Sequence, residues 1–339
     1  MVRGLLASVA LLAGLAAALP CAAQATLQRV KQRGQVVCGT SQGVAGFSMP
    51  DPTGTWSGFD TDLCRAIAAA VFDDPTKASF ISVTSRDRLT VLQSGEIDAL
   101  PRTTTWTLGR DAGQGLNFTA VNYYDGQGFL VARASNLKSV RELGGASICV
   151  AQGTTNELTL ADYFRTNALK YEVVAFANID DVVKAYESGR CDALSADMSQ
   201  LASFRLKMAK PDDHVALPDV ISKEPLGAWV RHGDDQWFDV VRWALFAMIN
   251  AEELGVTRDN VGEMMRSENP DVRRLLGLEG KFGEALGLTP DWALRIVRHV
   301  GNYGESFDRN LGERSALKLP RGINALWSKG GIQYAPPIR

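Results

Sequence analysis

A chain of 339 residues with 45% hydrophobic content is long enough for two ordinary domains and can bury an ample core unaided. Its 36 Lys and Arg against 38 Asp and Glu leave a formal net charge of -2, without the basic excess that a nucleic-acid partner would call for. Its histidines, His214, His232 and His299, have no ligand spacing with one another or with cysteines, so no metal site is expected.

At the start of the chain Arg3 precedes a run of apolar and small residues over 5–19, followed by "CAAQA"; residues 1–25 read as a secretory signal peptide. The run is shorter than the ~20 residues a spanning helix needs, and no later segment is long and apolar enough to cross a bilayer. Pro20 stands where a small residue is expected before a lipidated cysteine, so cleavage near Ala23 or Ala25 is favoured over lipidation of Cys21. Without Arg3 the formal net charge becomes -3, and Cys38, Cys64, Cys149 and Cys191 remain.

The exported chain opens with a helix, "TLQRVKQRG", stopped by Gly34, and an apolar strand "QVVCGT". After a glycine-containing loop, "GFDTDLCRAIAAAVF" begins a helix with Asp60 or Thr61 as its cap. A strand "ASFISV", a helix "SRDRLTVLQ" ended by Ser94-Gly95 and a strand "IDALP" follow. The order then repeats: strand "ASICVAQG", a helix over 156–167, strand "YEVVAFA", helix "NIDDVVKAYE" stopped by Ser188-Gly189, and strand "CDALSA". Alternating strands and helices predict parallel sheets covered on both faces.

The phrase Ser-Gly-x-x-Asp-Ala-Leu thus occurs twice, at 94–100 and 188–194, each time as a helix end feeding a sheet strand. Common turn chemistry would explain either copy alone, but not the matching order of the flanking elements. Extended segments, "GQGFLVARAS" and "SKEPLGAWVRHG", cross between the units at two points, as a hinge requires. Helices dominate afterwards: "QWFDVVRWALFAMINAEELG", "TRDNVGEMMRS", "NPDVRRLLG" and "PDWALRIVRHVGNYGESF", whose aromatic positions read as core stripes.

An even number of cysteines in an exported chain predicts disulfides. With Cys38 on the first strand and Cys64 on the following helix, and Cys149 and Cys191 on strands expected to be neighbours, the favoured pairs are Cys38 with Cys64 and Cys149 with Cys191.

Ligands of open α/β sheets bind beyond the carboxyl ends of the strands. Both echoes end there. After "IDAL" stand Arg102, Thr103, Thr104, Thr105 and Arg110; after "CDAL" stands Asp197. Lobes closing with cations and hydroxyls on one side and an anion on the other would suit a small zwitterion, whose charges would otherwise be desolvated without partners. The fork of Arg110 can grip a carboxylate through two parallel hydrogen bonds, although a solvated surface arginine is the commoner fate. Asp197 can cap the helix "MSQLASFRLKMA" and still present an oxygen to an ammonium group. Thr154 with Glu157 fits a capping box, while Gly153 and the helix start also suit a carboxylate. Asp98 and Asp192 are expected to hold strand-entry turns. No Ser-His-Asp ordering, nucleophile elbow, phosphate loop or dinucleotide fingerprint is present.

Together, the export signal, "GFDTDLCRAIAAAVF", "RTTTWTLGR", "VAQGTTNE", "CDALSAD" and "LNFTAVNYYDGQGFLV" resemble the periplasmic solute-binding proteins of ABC importers for polar amino acids, and most of all their general L-amino-acid-binding subgroup. The resemblance implies an α/β, two-lobed periplasmic binding protein fold (type II, Venus flytrap). Lobe 1 is expected over 26–130 and 229–339, and lobe 2 over 131–228. It implies further that Arg110, with Thr105 and the helix start at Thr154 and Thr155, holds the ligand α-carboxylate. Asp197 and a group near Thr103 would hold the α-ammonium, and selectivity would arise near Ser41 to Phe47 and at Arg102.

The loop "TSQGVAGF" lacks the acid and the aromatic ring before Phe47 that relatives for basic amino acids often carry, which fits broad selectivity. Arg102 could pair with an acidic or amide side chain, so Glu, Gln, Asp and Asn are the expected ligands; pairing of Arg102 with a protein carboxylate is the alternative. The implied protein is a periplasmic monomer that captures L-amino acids by lobe closure and delivers them to an inner-membrane ABC permease, with no cofactor, metal or nucleic-acid partner and no catalysis. A dehydratase-like periplasmic enzyme on the same fold is the competing reading, and would need an acid or base facing a reacting bond. A membrane-tethered sensory module is a third.

Overall fold

The structure, a computed structural model, describes residues 25–339; the signal-peptide reading, Cys21 included, lies but for Ala25 outside the described residues. After helix α1 (Thr26–Arg33), closed by Gly34 at φ 76°, comes the wholly buried strand β1 (Val36–Thr40). The following loop carries the small antiparallel pair β2 (Met49–Pro50) and β3 (Trp56–Ser57). Then come α2 (Phe59–Phe72), β4 (Ala78–Ser82), α3 (Arg88–Ser94), β5 (Leu100–Thr105), the single turn α4 (Leu108–Asp111) and the long strand β6 (Leu116–Asp125). β4 runs parallel to β1, and a bridge from Cys38 to Ala99 ties β1 to the run into β5.

The second unit holds β7 (Gln127–Ala132), β8 (Ser147–Ala151), α5 (Thr155–Thr166), β9 (Glu172–Phe176), α6 (Ile179–Glu187), β10 (Ala193–Asp197), α7 (Met198–Lys207) and β11 (His214–Ala216). Its sheet has the order β11-β7-β10-β8-β9. β12 (Glu224–Arg231) returns to the first unit and lies between β5 and β6. Helices α8 (Asp235–Glu253), α9 (Val261–Met264), α10 (Pro270–Leu275), α11 (Phe282–Ala285), α12 (Trp292–Val300) and α13 (Tyr303–Asn310) complete the chain. α8 and α12 pack on α2.

The sheets are mixed and not purely parallel. β1 with β4, and β10 with β8 and β9, are parallel, whereas β6, β7, β11 and β12 add antiparallel pairs. Parallel neighbours need a crossover of a dozen residues or more, so segments that pass directly between units enter each sheet antiparallel. One passage is Gly126, between β6 and β7; the other enters β12 at Glu224, which pairs in register with Asp125. The crossings expected from sequence, at 130/131 and 228/229, stand a few residues further along the chain than these changes of sheet.

The two echoes fold into one local device. Asp98 Oδ2 accepts from Val37 N at 2.8 Å, and Asp192 Oδ2 accepts from Ser147 N at 2.7 Å. Their own amides donate back to the carbonyls of Val37 and Ser147, at 2.8 and 2.9 Å. Each aspartate therefore clamps the entry of one strand to the entry of its neighbour. The disulfides Cys38–Cys64 and Cys149–Cys191 join a strand to its covering helix in the first unit and two strand entries in the second, as the sequence predicts.

Two expectations about helix ends are corrected. Helix α2 starts one residue after Gly58, and Asp60 and Thr61 lie buried inside it and do not cap it. A Cβ on Gly58, at φ 134°, would meet the carbonyl oxygen of Phe47 at 2.2 Å, so backbone crowding fixes the helix start. The single helix read over 290–307 is two helices, because Gly301 at φ 90° ends α12 and Asn302 opens α13 with a reciprocal cap to Glu305.

The unequal burial of the echoed aspartates predicts unequal energetics. Asp98 is 1% exposed and also holds Arg33, whereas Asp192 stands at the surface. In urea unfolding, Asp98→Ala is expected to lose about 2–3 kcal/mol by orphaning the buried Val37 amide, and Asp192→Ala under about 1 kcal/mol. Equal losses would contradict the assignment.

Candidate functional site

Both sheets aim their carboxyl ends at one cleft. On the first wall β5 places Arg102, Thr103, Thr104 and Thr105 in an unbroken buried run. Arg102 Nη2 donates to Ser85 Oγ at 3.0 Å, and its Nε has no acceptor. Beside it Arg88, in the first turn of α3, donates from Nη1 to the Thr103 carbonyl at 3.4 Å, and its Nε is likewise without a partner. Arg110, placed by the turn that Thr107 caps, donates from Nη1 to Thr105 O at 2.9 Å and reaches across to Gly153 O at 3.4 Å. Among the described residues no carboxylate lies within 4.0 Å of these three guanidiniums.

The opposite wall and the hinge carry the negative charge. Asp197, at the end of β10, is 2% exposed; it accepts from Asn156 Nδ2 at 2.9 Å and from Gln200 Nε2 at 2.7 Å. It stands at the cap position of α7, yet its side chain makes no capping bond and its oxygens are held instead by these two side-chain amides. Asp125 and Glu224 lie at the paired hinge positions. Asp125 Oδ2 accepts from Ser199 Oγ at 2.5 Å. Glu224 accepts from Ser222 Oγ at 2.6 Å, Thr105 Oγ1 at 2.5 Å and Thr155 Oγ1 at 2.8 Å.

Burial dominates the electrostatics. It lowers Arg110, pushes Arg102 down to about 10, and pulls Arg88 well below the usual arginine range with help from Arg102 and Arg110. The acids move the other way: burial raises Asp60 and Asp125 to about 6, and raises Asp197 well above the usual carboxylate range, with Asp125 and Glu224 adding repulsion. Arginines crowd the first wall, with the buried Asp60 the opposite charge acting on Arg102, and carboxylates crowd the other wall and the hinge, which raises the free energy of the site until something charged bridges it.

The lobes are closed on one another, and the cavity between them measures about 10 Å³. Arg102, Thr103 and Thr105 line it from the first unit, and Thr154, Thr155 and Asp197 from the second. Arg110 lies beside this ring with its guanidinium spanning both units. Thr154 caps α5 by accepting from Glu157 N at 3.2 Å, while Glu157 returns its carboxylate to Gly153 N at 3.0 Å. Ser41 and Phe47 stand outside the ring. Ser41 Oγ meets Ser48 Oγ at 2.6 Å, and Phe47 packs edge-on against Tyr123 with ring centroids 5.4 Å apart. That loop meets the second unit through backbone: the carbonyl of Gly43 accepts from Lys207, and that of Ala45 from Ser203 Oγ at 2.7 Å.

Sequence reading missed Arg88, Ser85, Asn156 and Gln200, all of which line the cavity. For Arg88 a signal existed. It lies four residues before the buried Leu92, so an arginine occupies the apolar face of α3. Among the described residues no helix is long and apolar enough to cross a membrane, and no three His, Cys, Asp or Glu side chains are grouped to hold a metal.

Residues 36–260 match the family described as bacterial extracellular solute-binding proteins, family 3. The chain is 56% identical, over 96% of both chains, to the general L-amino acid-binding periplasmic protein AapJ of Rhizobium johnstonii. It is 47% identical to the glutamate/glutamine/aspartate/asparagine-binding protein BztA of Rhodobacter capsulatus, covering 99% of this chain and 98% of that one. It is similar in structure to a periplasmic binding protein from Brucella ovis with glutathione bound, with a TM-score of 0.92 and 53% identity, covering 93% of this chain and 99% of the other.

The approach of the two units at Gly153 is testable. At φ 72°, a Cβ there would lie 2.9 Å from the Cα of Arg86 on the facing unit. Gly153→Ala is expected to lower stability by about 1–2 kcal/mol through left-handed strain. It should also speed amide exchange at Ser85–Arg88 and Thr154–Glu157, because backbone can yield only by separating the units. Unchanged exchange there would refute the close approach.

Proposed function

Because the chain belongs to the bacterial extracellular solute-binding proteins of family 3, we propose that it is the periplasmic substrate-binding component of an ABC importer, capturing L-amino acids of broad type between its lobes. The observation that carries this reading is the separation of buried, unpaired charge across the cleft: guanidiniums on one wall, carboxylates on the other and at the hinge. An α-amino acid satisfies both at once. The named ligands of similar proteins are α-amino acids, and glutathione also carries a glutamyl α-carboxylate and α-ammonium.

The α-carboxylate goes to Arg110, with hydroxyls of Thr105, Thr154 and Thr155 around it. The α-ammonium goes to Asp197, whose two amide partners fix its orientation, with the Thr103 backbone nearby. Arg102 and Arg88 face the side chain. Their free Nε–H groups suit an acidic or amide terminus, so Glu, Asp, Gln and Asn lead the order of preference. Ser41 and Phe47 act on selectivity only through the loop that carries them. Because the closed cavity is so small, the ligand enters an open form and closure adds the second wall's contacts, shifting the population toward closed.

Delivery to an inner-membrane permease follows from the importer role. The protein works as an exported monomer and binds without turnover, since each acid and base lining the cleft is committed to holding charge.

Titration calorimetry against the twenty L-amino acids tests this. Arg110→Ala is expected to weaken the best ligand by at least about a hundredfold, since an uncompensated buried carboxylate costs several kcal/mol. An effect within a few-fold would refute the carboxylate assignment. The pH dependence has a defined sign. Burial in the closed cleft holds Asp197 above the usual carboxylate range, and an ammonium beside it favours the ionised form, so placing the ammonium there releases a proton. Affinity should rise with pH from the ordinary carboxylate range upward, and calorimetry at pH 5–6 in buffers of different ionisation enthalpy should register net release. Net uptake would place the ammonium elsewhere.

A further inference from the structure

Asp60 is 1% exposed in the first turn of α2, and no Lys, Arg or His nitrogen lies within 4.0 Å of its carboxylate among the described residues. Two neutral donors hold it: the amide of Thr103, one residue after Arg102, at 3.1 Å, and Asn122 Nδ2 at 3.2 Å. Burying a carboxylate for two such donors is costly, and a neutral side chain of the same shape would serve the Thr103 amide as well. What distinguishes Asp60 is its charge. The opposite charge that acts on it is Arg102, and Asp60 is the leading opposite charge acting on Arg102. Arg88 and Arg110 are opposed instead by Asp197 and Glu224. The Arg102 guanidinium is held by Ser85 Oγ at 3.0 Å, so Asp60 reaches it as charge and not as a hydrogen-bond partner.

We propose that Asp60 offsets one of the two guanidiniums facing the ligand's side chain, leaving that subsite a single positive charge so that it holds acidic and amide side chains alike. The inference rests on the reading that Arg102 and Arg88 face the side chain; both line the cavity, and each has a buried Nε–H without a protein acceptor. With Arg88, Arg102 and Asp60 counted together, a carboxylate terminus makes the subsite neutral and an amide leaves one charge in excess. Without Asp60 the excess beside an amide would be two, in surroundings where charge is poorly screened. The α-carboxylate and α-ammonium are common to all the ligands, so Arg110 and Asp197 drop out of a comparison between glutamate and glutamine.

Titration calorimetry of the full mature chain with each of these two amino acids reads the proposal as a ratio of dissociation constants. It is run at about pH 8, where Asp60, raised by burial to about 6, is ionised. Asp60→Asn keeps the size of the side chain and should shift the ratio toward glutamate by at least about tenfold, the effect of one unit charge across several ångströms at an effective dielectric of about 20. Arg102→Gln should shift it toward glutamine, and the double variant, with one positive charge again, should return to within about threefold of the native ratio. Asp60→Ser removes the same charge with a smaller side chain and should reproduce the shift where the Asn variant folds poorly. A ratio within about threefold of native in a folded Asp60 variant would overturn the proposal, because a purely structural aspartate weakens both ligands alike. So would a double variant no nearer the native ratio than the Asp60 variant alone. Binding of neither amino acid by the native protein would instead refute the amino-acid-binding reading itself.

Discussion

Uncompensated charge, buried on two walls and kept from neutralising itself, is the constraint that organises this molecule. Bringing three arginines and several carboxylates out of water is costly, and a protein selected for stability alone would pair them or replace them with hydrocarbon. Here the backbone forbids the pairing. β5 and α3 hold Arg102 and Arg88 in one unit, β10 holds Asp197 in the other, and Asn156 and Gln200 occupy the carboxylate oxygens that could otherwise turn toward an arginine. The rest of the architecture supplies the rigidity to sustain that arrangement. The echoed aspartates fix strand entries, the disulfides fix the sheets to their neighbours, and Asp60 is buried within α2 to hold the backbone of Thr103 at 3.1 Å.

The hinge decides what this stored electrostatic free energy does. Among the described residues two passages connect the sheets, at Gly126 and at the entry to β12, and an acid flanks each. The acids therefore sit where motion is concentrated. Repulsion among Asp125, Asp197 and Glu224 favours separation of the lobes, while the hydroxyls of Thr105 and Thr155 and the loop contacts to Ser203 and Lys207 favour closure. Neither set is large, so a ligand that contributes a few kcal/mol of differential contact can move the balance.

Much of this was legible in the sequence wherever local chemistry determined it. The Ser-Gly stop, the strand-entry aspartate and the apolar strand that follows are short-range devices, so the two units could be read from residues a few positions apart; both disulfides followed from the order of those elements, and the joint role of Arg102, Thr103, Thr105, Thr154, Thr155 and Asp197 from the family resemblance. What was not legible depends on contacts distant in sequence. Arg88 stands on the apolar face of α3, four residues before Leu92, but what it serves there shows only once β5 is laid against it. Asp60 looks like a cap until the Phe47 carbonyl is seen to crowd Gly58. Phe47 belongs to the loop from which selectivity was expected, yet its aromatic neighbour, Tyr123, lies on β6 and is itself stacked on Phe307 of α13.

The C-terminal region bears on the same balance from outside the cleft. Residues 261–339 lie beyond the range of the family match, and they pack on the first unit beside one of its two exits. Asn324 brackets the backbone of Tyr124 with bonds of 2.7 and 3.0 Å, and Tyr303 holds the carbonyl of Asn122 at 2.8 Å, within three residues of the hinge acid Asp125. Leu311 and Leu317 close on Gly46, so the loop that meets α7 is backed from behind. With β6 pinned up to its last residues and the loop supported, rotation of the lobes has little backbone left to act on besides Gly126 and the entry to β12. A hinge confined in this way makes closure nearly all-or-none. That is what allows a single small zwitterion, touching both walls, to be read out as a change in the shape of the whole protein.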